Sequence, residues 1–298
     1  YSLTAALVIG RDEQTSAVVP IVAFVAVLAV IIVFRRLQTA AFQSIQLASV
    51  LTQVARRGRD VIDGLYVLKA PARDPTDGPH RASAAAAATD LQEIRWPRPA
   101  AVVQVIDVPR VLRAAERARA VIAFKVGSGD MIAEGATIAL VRGQTAPELE
   151  REVLKAFTVG QERTFEQDPA FALRLLADIG LRALSPAVND PTTAVQALET
   201  IDGLLRVLAT RDLSVEHVAG SDGTIRIELV LPTWDDYLAV ALDELIALPT
   251  LSPNVSRRIL RLLDELAAIT PPSRRSALEA RRRQIRDPAR RDLADGTA

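Results

Sequence analysis

The chain has 298 residues, and its 36 lysines and arginines balance its 36 aspartates and glutamates. Its length allows more than one domain, because globular domains usually span about 100–200 residues. Zero net charge gives no overall basic field for nucleic acid, so we predict no nucleic-acid partner. The absence of cysteine excludes disulfides, cysteine metal sites and thiol catalysis. The two histidines, His80 and His217, lie far apart, and we predict neither a metal site nor a cofactor.

One segment has the composition of a membrane span. Residues 17–34, AVVPIVAFVAVLAVIIVF, are all apolar or proline. A run of about 18 such residues is long enough to cross a bilayer as a helix. A buried core helix is the alternative, but such helices usually keep a polar face. A cleaved signal peptide would have a basic start and small residues at its end, whereas this run follows RDEQTS and precedes two arginines. We therefore predict a transmembrane helix.

The flanking residues indicate topology. The opening YSLTAALVIG begins without Met, and we expect it to be the end of an earlier membrane helix that RDEQTS joins to the next one in a hairpin. We assign residues 1–36 to a multi-pass transmembrane region in a bacterial inner (plasma) membrane, with lipid as a partner. Arginines after the apolar run outnumber Arg11 before it: Arg35, Arg36, Arg56, Arg57 and Arg59. By the positive-inside rule, the chain after Phe34 is cytoplasmic.

The helical pattern continues beyond the membrane, over residues 37–68. Small and apolar residues recur there at steps of three and four, which is typical of close helix–helix packing. We predict that this face is the seam of a homo-oligomer, formed by Ala41, Ala48, Leu51 and Ala55. The pattern fits an amphipathic helix packed on its own domain equally well.

A Pro-, Gly- and Ala-rich stretch over residues 69–93, which contains His80, predicts a flexible insertion. Residues 94–143 then alternate strand-like runs with one short helix, which favours a small, barrel-like β module. Gly127, Gly129 and Gly135 fit its turns. A phosphate-binding loop is the alternative for these glycines, but neither of the standard spacings is present.

The remainder, residues 148–298, reads as a mainly helical cytosolic domain. It contains a predicted β-hairpin over 213–231, whose first strand carries His217, interpreted as structural. Thr233 and Ser252 are candidate N-caps of later helices. The predicted class is therefore an α+β membrane protein: a transmembrane hairpin, a long helix, a small β module and a helical domain.

A polar stretch, SPAVNDPTT, separates two apolar helical stripes near residue 185. Pro186 ends the first helix, Asp190 is a good N-cap, and Pro191 fits the first helical position. Helix-cap chemistry thus explains most of this corner without a reaction. We keep a small-ligand site as the alternative, formed by Asp178, Arg182, Ser185, Asn189, Asp190, Thr192 and Thr193.

The same stretch resembles the signature of a family of bacterial membrane proteins, domain of unknown function family 2254. The family pattern runs close to DIAxxALSPGxNDPxTA, and Ala187 stands where the family often has glycine. The residues that match are Asp178, Ala183, Leu184, Ser185, Pro186, Asn189, Asp190, Pro191, Thr193 and Ala194. The stretches around RTFEQDPAFALRLL and VGSGDMIAEGATIALV also resemble their family counterparts. The resemblance implies an integral membrane protein and supplies no reaction.

We expect a non-enzymatic protein that forms a homo-oligomeric channel-like or sensor/scaffold assembly. The alternative is a membrane-tethered enzyme or small-ligand-binding protein that uses the SPAVNDPTT corner. Ser185 lacks a neighbouring His or Lys and the G-x-S-x-G context of a nucleophile, so we assign no catalytic residue. The identity of any transported ion or ligand is left open.

Overall fold

The computed structural model describes residues 18–66, 91–143, 147–249 and 251–286, and gives only the helical backbone for residues 18–20 and 39–46. The chain divides into two compact units, Tyr1–Thr52 and Gln53–Ala298. The described elements confirm the α+β class. The first arm of the predicted membrane hairpin and most of the predicted insertion, including His80, lie outside the described residues.

Helix α1 runs without a break over Val18–Leu65. Its stretch Ile21–Gln38 has a mean hydropathy of 2.3 with none of its residues buried, and among the described residues it is the one helix apolar and long enough to cross a membrane. A core helix of a soluble domain would be buried. The exposure of this stretch therefore favours the predicted membrane span over the core-helix alternative.

The second unit contains the last three turns of α1. Its buried face there includes Val54, Gly58 and Ile62. A Cβ placed on Gly58 would lie 2.7 Å from the Cβ of Ala172 and 3.0 Å from a Leu204 methyl. The absence of a side chain at Gly58 therefore lets the helix approach its own domain closely. In this part of the predicted small-residue face, α1 packs on the protein's own domain.

The chain after α1 alternates strands with short helices and then becomes mainly helical. In order, the elements are β1 (Leu91–Arg95), β2 (Ala101–Ile106), α2 (Val108–Ala118), β3 (Val121–Phe124), β4 (Met131–Ile132), β5 (Thr137–Arg142), α3 (Pro147–Ala156), β6 (Phe157–Gly160), α4 (Pro169–Leu184), α5 (Pro191–Ala209), β7 (His217–Ala219), β8 (Ile225–Glu228), α6 (Trp234–Leu238), a π-helical turn (Ala239–Asp243), α7 (Glu244–Ile246), α8 (Pro253–Ile269) and α9 (Pro272–Arg286).

The strands form two small sheets, with the orders β1-β5-β3-β8-β7 and β4-β2-β6. The pairings of the described strands do not close either sheet into a barrel. β1 begins at Leu91, within the predicted insertion, because Leu91, Gln92 and Glu93 pair with β5 although their side chains are exposed and lack an apolar alternation. Between the sheets lies an aromatic core in which the Phe157 ring is 6.1 Å from that of Trp96.

The predicted hairpin is present as β7 and β8, and His217 is exposed on β7 beside Glu216. β8 also pairs in parallel with β3, so the hairpin extends the sheet of the β module. The helices pack around α4 and α5. The second of the two apolar stripes that flank the SPAVNDPTT corner lies on α5, and its residues are buried: Ala194, Leu198, Ile201, Leu205 and Leu208. Thr233 and Ser252 are N-caps as predicted.

Candidate functional site

The SPAVNDPTT corner is a tight turn between α4 and α5. Ser185 is extended at the end of α4, as expected for a residue before proline. Its carbonyl accepts hydrogen bonds from the amides of Val188 at 3.1 Å and Asn189 at 2.9 Å. Asn189 adopts a left-handed conformation, with φ +46°, which asparagine tolerates better than most residues. The backbone itself thus closes this turn.

Asp190 caps α5. Its Oδ1 accepts from the amides of Thr192 and Thr193, both at 3.1 Å, and its Oδ2 accepts from the Thr193 hydroxyl at 2.6 Å. The Thr193 hydroxyl, followed by the two amides, stabilises the charged carboxylate and lowers the pKa of Asp190. Pro191 occupies the first helical position. The N-cap interpretation of this residue is confirmed.

The other predicted site residues do not converge on Asp190. Asp178 pairs with Arg174 at 2.9 Å, one turn earlier on α4. The Ser185 hydroxyl donates to the carbonyl of Arg182 at 2.8 Å, so it is engaged with its own helix end. The side chains of Arg182, Asn189 and Thr192 are exposed, and none has a partner among the described residues. This corner presents polar side chains on a fixed turn.

Variants of Asp190 distinguish a structural helix cap from a carboxylate that acts in binding or catalysis. Asp190→Ala is expected to lower the free energy of unfolding by about 0.5–2 kcal/mol through loss of the cap. Asp190→Asn should be nearly neutral, because asparagine caps equally well. Thermal melting of both variants, with the cellular phenotype of each, tests this. A stable Asp190→Asn protein with the phenotype of a gene deletion would show that the carboxylate itself functions.

A second polar cluster, which the sequence patterns did not predict, lies where α4 begins. Asp168 is only 3% exposed. It caps α4 through the Phe171 amide at 3.0 Å, and Arg163 donates to its two carboxylate oxygens at 2.8 and 2.9 Å. Burial raises the pKa of Asp168, and the charge and hydrogen bonds of Arg163 oppose that shift. In the sequence, this cluster is indicated only by Arg163, which lies five residues before the Asp-Pro pair that begins α4.

The turn between β3 and β4 packs against this pair. Gly129 has φ +95°, and a Cβ there would lie 2.3 Å from the Oδ2 of Asp168. Gln167, next to Asp168 in the loop before α4, joins that loop to β2. Its side-chain amide donates to the Ile106 carbonyl at 3.2 Å and accepts from the Ile106 amide at 2.9 Å. Residues 163–168 therefore fasten the β module to the start of α4.

Two buried tyrosines lie beside these elements. Tyr66, the first residue after α1, shares a hydrogen bond of 2.8 Å with the hydroxyl of Tyr237 on α6. Their rings meet edge to face, with centroids 6.4 Å apart. Burial raises the pKa of both phenols above the ordinary 10.0, so both stay protonated and can share the bond. Two of the three tyrosines of the chain form this contact, and nothing in the local sequence of either one indicates its partner.

The chemistry of both clusters is that of packing and capping. Within the described residues, no group of three or more His, Cys, Asp or Glu side chains could hold a metal ion. Asp168 is fully engaged by Arg163 and Phe171, and the two tyrosines bond to each other. The Asp168 and tyrosine contacts join three parts of the second unit: the end of α1, the β module and the helices.

Comparison with known proteins shows the family of the chain. A family model described as predicted membrane protein, DUF2254, matches residues 1–265, and the chain therefore belongs to this family. An uncharacterized protein of Mycobacterium bovis and two of Mycobacterium tuberculosis are each 29% identical over 99% of the chain. The chain spans 58% of the length of these curated relatives. No solved structure matches it significantly.

Proposed function

We propose that the protein is a non-enzymatic, multi-pass protein of the bacterial inner membrane that forms a homo-oligomeric, channel-like or sensor/scaffold assembly with a large cytosolic region. The observation that carries this proposal is the continuity of α1, which holds the apolar stretch Ile21–Gln38 and ends in the folded unit at Leu65. A helical connection is stiffer than a flexible linker, which suits it to the transmission of displacement.

Contacts at the end of α1 support such transmission. Arg57 lies over the Phe165 ring at 5.5 Å, and Asp63 forms an ion pair with Arg211. Tyr66 adds the hydrogen bond to Tyr237. These contacts tie one helix end to the loop before α4, the end of α5 and α6. A shift of this end of α1 would therefore displace or break contacts with these three elements.

The assembly part of the proposal rests on the predicted seam. Ala48 is exposed and Ala55 is half-buried. Leu51 is buried within one chain, so it is not available to a second copy in this conformation. The side chain of Ala41 is outside the described residues. We propose self-association centred on Ala48, because a small side chain lets helices approach closely.

Cross-linking at Ala48 tests the assembly directly. The chain has no cysteine, so Ala48→Cys introduces a single thiol that can form a disulfide only with another protein molecule. We expect a covalent dimer in oxidised membranes. Gln53→Cys is the matched control, because Gln53 is exposed on another face of the same helix. Equal cross-linking of both variants, or of neither, would contradict a seam at Ala48.

A second candidate, small-ligand binding or catalysis at the SPAVNDPTT corner, is favoured by one observation. The exposed side chains of Arg182, Asn189 and Thr192 have no partner among the described residues, although the turn that carries them is fixed by hydrogen bonds. Polar groups held on a fixed turn are suited to binding. The Asp190→Asn experiment above decides between this candidate and a structural corner.

A further inference from the structure

The β module has a hydrophobic core of its own. Every member of this core that the structure describes lies in residues 94–159 or on the hairpin of β7 and β8. Packing between elements divides in the same way: α2, α3 and the strands contact one another, and α4–α9 contact one another. We call α4–α9 and the end of α1 the helical bundle, since Gly58 of α1 packs on Ala172 of α4. The second unit therefore consists of two bodies, each with its own packing.

The loop of residues 161–168 leads from the β module to the helical bundle, and polar contacts hold it to the module. The Gln104 side chain donates to the Glu162 carbonyl at 3.0 Å, and the Ser128 hydroxyl donates to the Gln167 side chain at 3.2 Å. Two bodies joined by polar contacts are expected to move relative to each other, whereas a large apolar interface would fix them. The nature of these contacts therefore favours motion between the two bodies.

The Arg163–Asp168 ion pair, which we call the clasp, joins this loop to the helical bundle. Asp168 is buried and caps α4, and Arg163 of the loop bonds to both of its carboxylate oxygens. Gly129 of the β module lies against the same carboxylate. The other two chain connections between the bodies, residues 212–216 and 229–233, contain no helix or strand. The clasp is thus the contact at which both bodies and the loop meet.

A group of aromatic rings connects α1 to the clasp. Arg57 of α1 lies over the Phe165 ring at 5.5 Å, and the ring centroids of Phe165 and Phe171 are 5.0 Å apart. Arg163 in turn lies over the Phe171 ring at 5.4 Å. The guanidinium of the clasp therefore rests on rings that α1 also touches, and a displacement of α1 would change the position of Phe165 beside it.

We propose that the β module and the helical bundle form a hinge, that the clasp holds this hinge in one orientation, and that α1 controls it through Phe165. Breaking one partner of a buried ion pair is costly, so an intact clasp favours the orientation in which it forms. Hinges commonly use a few loop residues, such as those of the two segments without helix or strand. The hinge requires no assembly of chains, and only its control by α1 rests on the proposed function.

Spin-label distances, measured by double electron–electron resonance on the full chain in detergent, test the hinge. The chain has no cysteine, so pairs of introduced thiols can be labelled selectively. Glu134→Cys in the β module with Glu279→Cys on α9 reports the distance between the bodies, since both side chains are exposed. Dilution with unlabelled protein restricts the measurement to distances within one chain. Arg163→Gln should shift or broaden this distance distribution by more than about 2 Å, the scale of a domain rearrangement.

Matched controls separate a hinge movement from unfolding. Glu134→Cys with Glu150→Cys lies within the β module, and Glu199→Cys with Glu279→Cys lies within the helical bundle, so neither distribution should change with Arg163→Gln. Arg110→Gln breaks an ion pair between α2 and α3 inside the β module and should leave the distance between the bodies unchanged.

The hinge is overturned if Arg163→Gln leaves the distance distribution between the bodies unchanged, or if the distributions within the bodies change as much. Gln167→Ala is a second variant, which decides the test if Arg163→Gln fails to fold. It removes the contacts of the loop with Ile106 and Ser128 without leaving a buried charge unpaired. We expect it to shift the same distribution.

Arg57→Ala tests the control of the hinge by α1, with its exposed neighbour Arg56→Ala as the matched control. Arg57→Ala should shift the distance distribution between the bodies in the same direction as Arg163→Gln, and Arg56→Ala should leave it unchanged. If only Arg163→Gln shifts it, the hinge stands and its control by α1 is overturned. Cross-linking at Ala48 reports the proposed assembly separately, so failure of the assembly and failure of the hinge are distinguishable.

Discussion

Replacing Asp168 with alanine should lower the free energy of unfolding by about 3–5 kcal/mol, the cost of removing one partner of a buried ion pair. Asp168 is 3% exposed and Arg163 is 32% exposed, so the guanidinium would lose its partner where water only partly replaces it. The Phe171 amide would also lose its acceptor at the start of α4. Denaturant unfolding followed by circular dichroism measures this change.

Asp107→Ala is the matched control for Asp168→Ala. Asp107 caps α2 through the Arg110 amide at 3.0 Å and also precedes an early helical proline, but its side chain is exposed. Its loss should therefore cost only about 1 kcal/mol, the value of an ordinary cap. If the two alanine variants were destabilised equally, the buried pair with Arg163 would contribute nothing beyond capping.

Replacing Gly58 with leucine should destabilise the second unit by about 1–3 kcal/mol through overpacking. The new Cβ would overlap Ala172 at 2.7 Å, where both backbones belong to packed helices that cannot move apart freely. The same substitution at Gly64 meets nothing within 4 Å and should stabilise the helix slightly, because leucine favours helix over glycine by about 1 kcal/mol.

Opposite signs for Gly58→Leu and Gly64→Leu, measured by thermal melting in the same detergent, would show that α1 packs into the folded unit at Gly58. A stabilising effect at both glycines would mean that α1 is free of the domain in solution. The transmission of helix movement that we propose would then lose its physical basis.

Local chemistry made much of the corner and the helices predictable. Asp190 and Pro191 form a cap that depends on three or four neighbouring residues, and Asn189 takes the left-handed conformation that its side chain tolerates. The stripe of α5 follows from the helical period alone. Such features are encoded within one or two turns of sequence, and the structure agrees with them.

Long-range contacts were not predictable from these patterns. The parallel pairing of β3 with β8 joins Ile122 to Ile227, and neither strand carries a signal for its partner. The hydrogen bond between Tyr66 and Tyr237 is likewise set by how α1 meets α6. Residues 91–93, the first part of β1, were assigned to the insertion because exposed Gln92 and Glu93 hide its strand character, which comes from pairing with β5.

The most direct test of the account is the side of the membrane on which the second unit lies. Glu279 is exposed on α9, and Glu279→Cys would be the only thiol in the chain. An impermeant maleimide should label this cysteine only after spheroplasts are opened, because we propose that everything after the span of α1 lies in the cytoplasm. Full labelling in intact spheroplasts would contradict it.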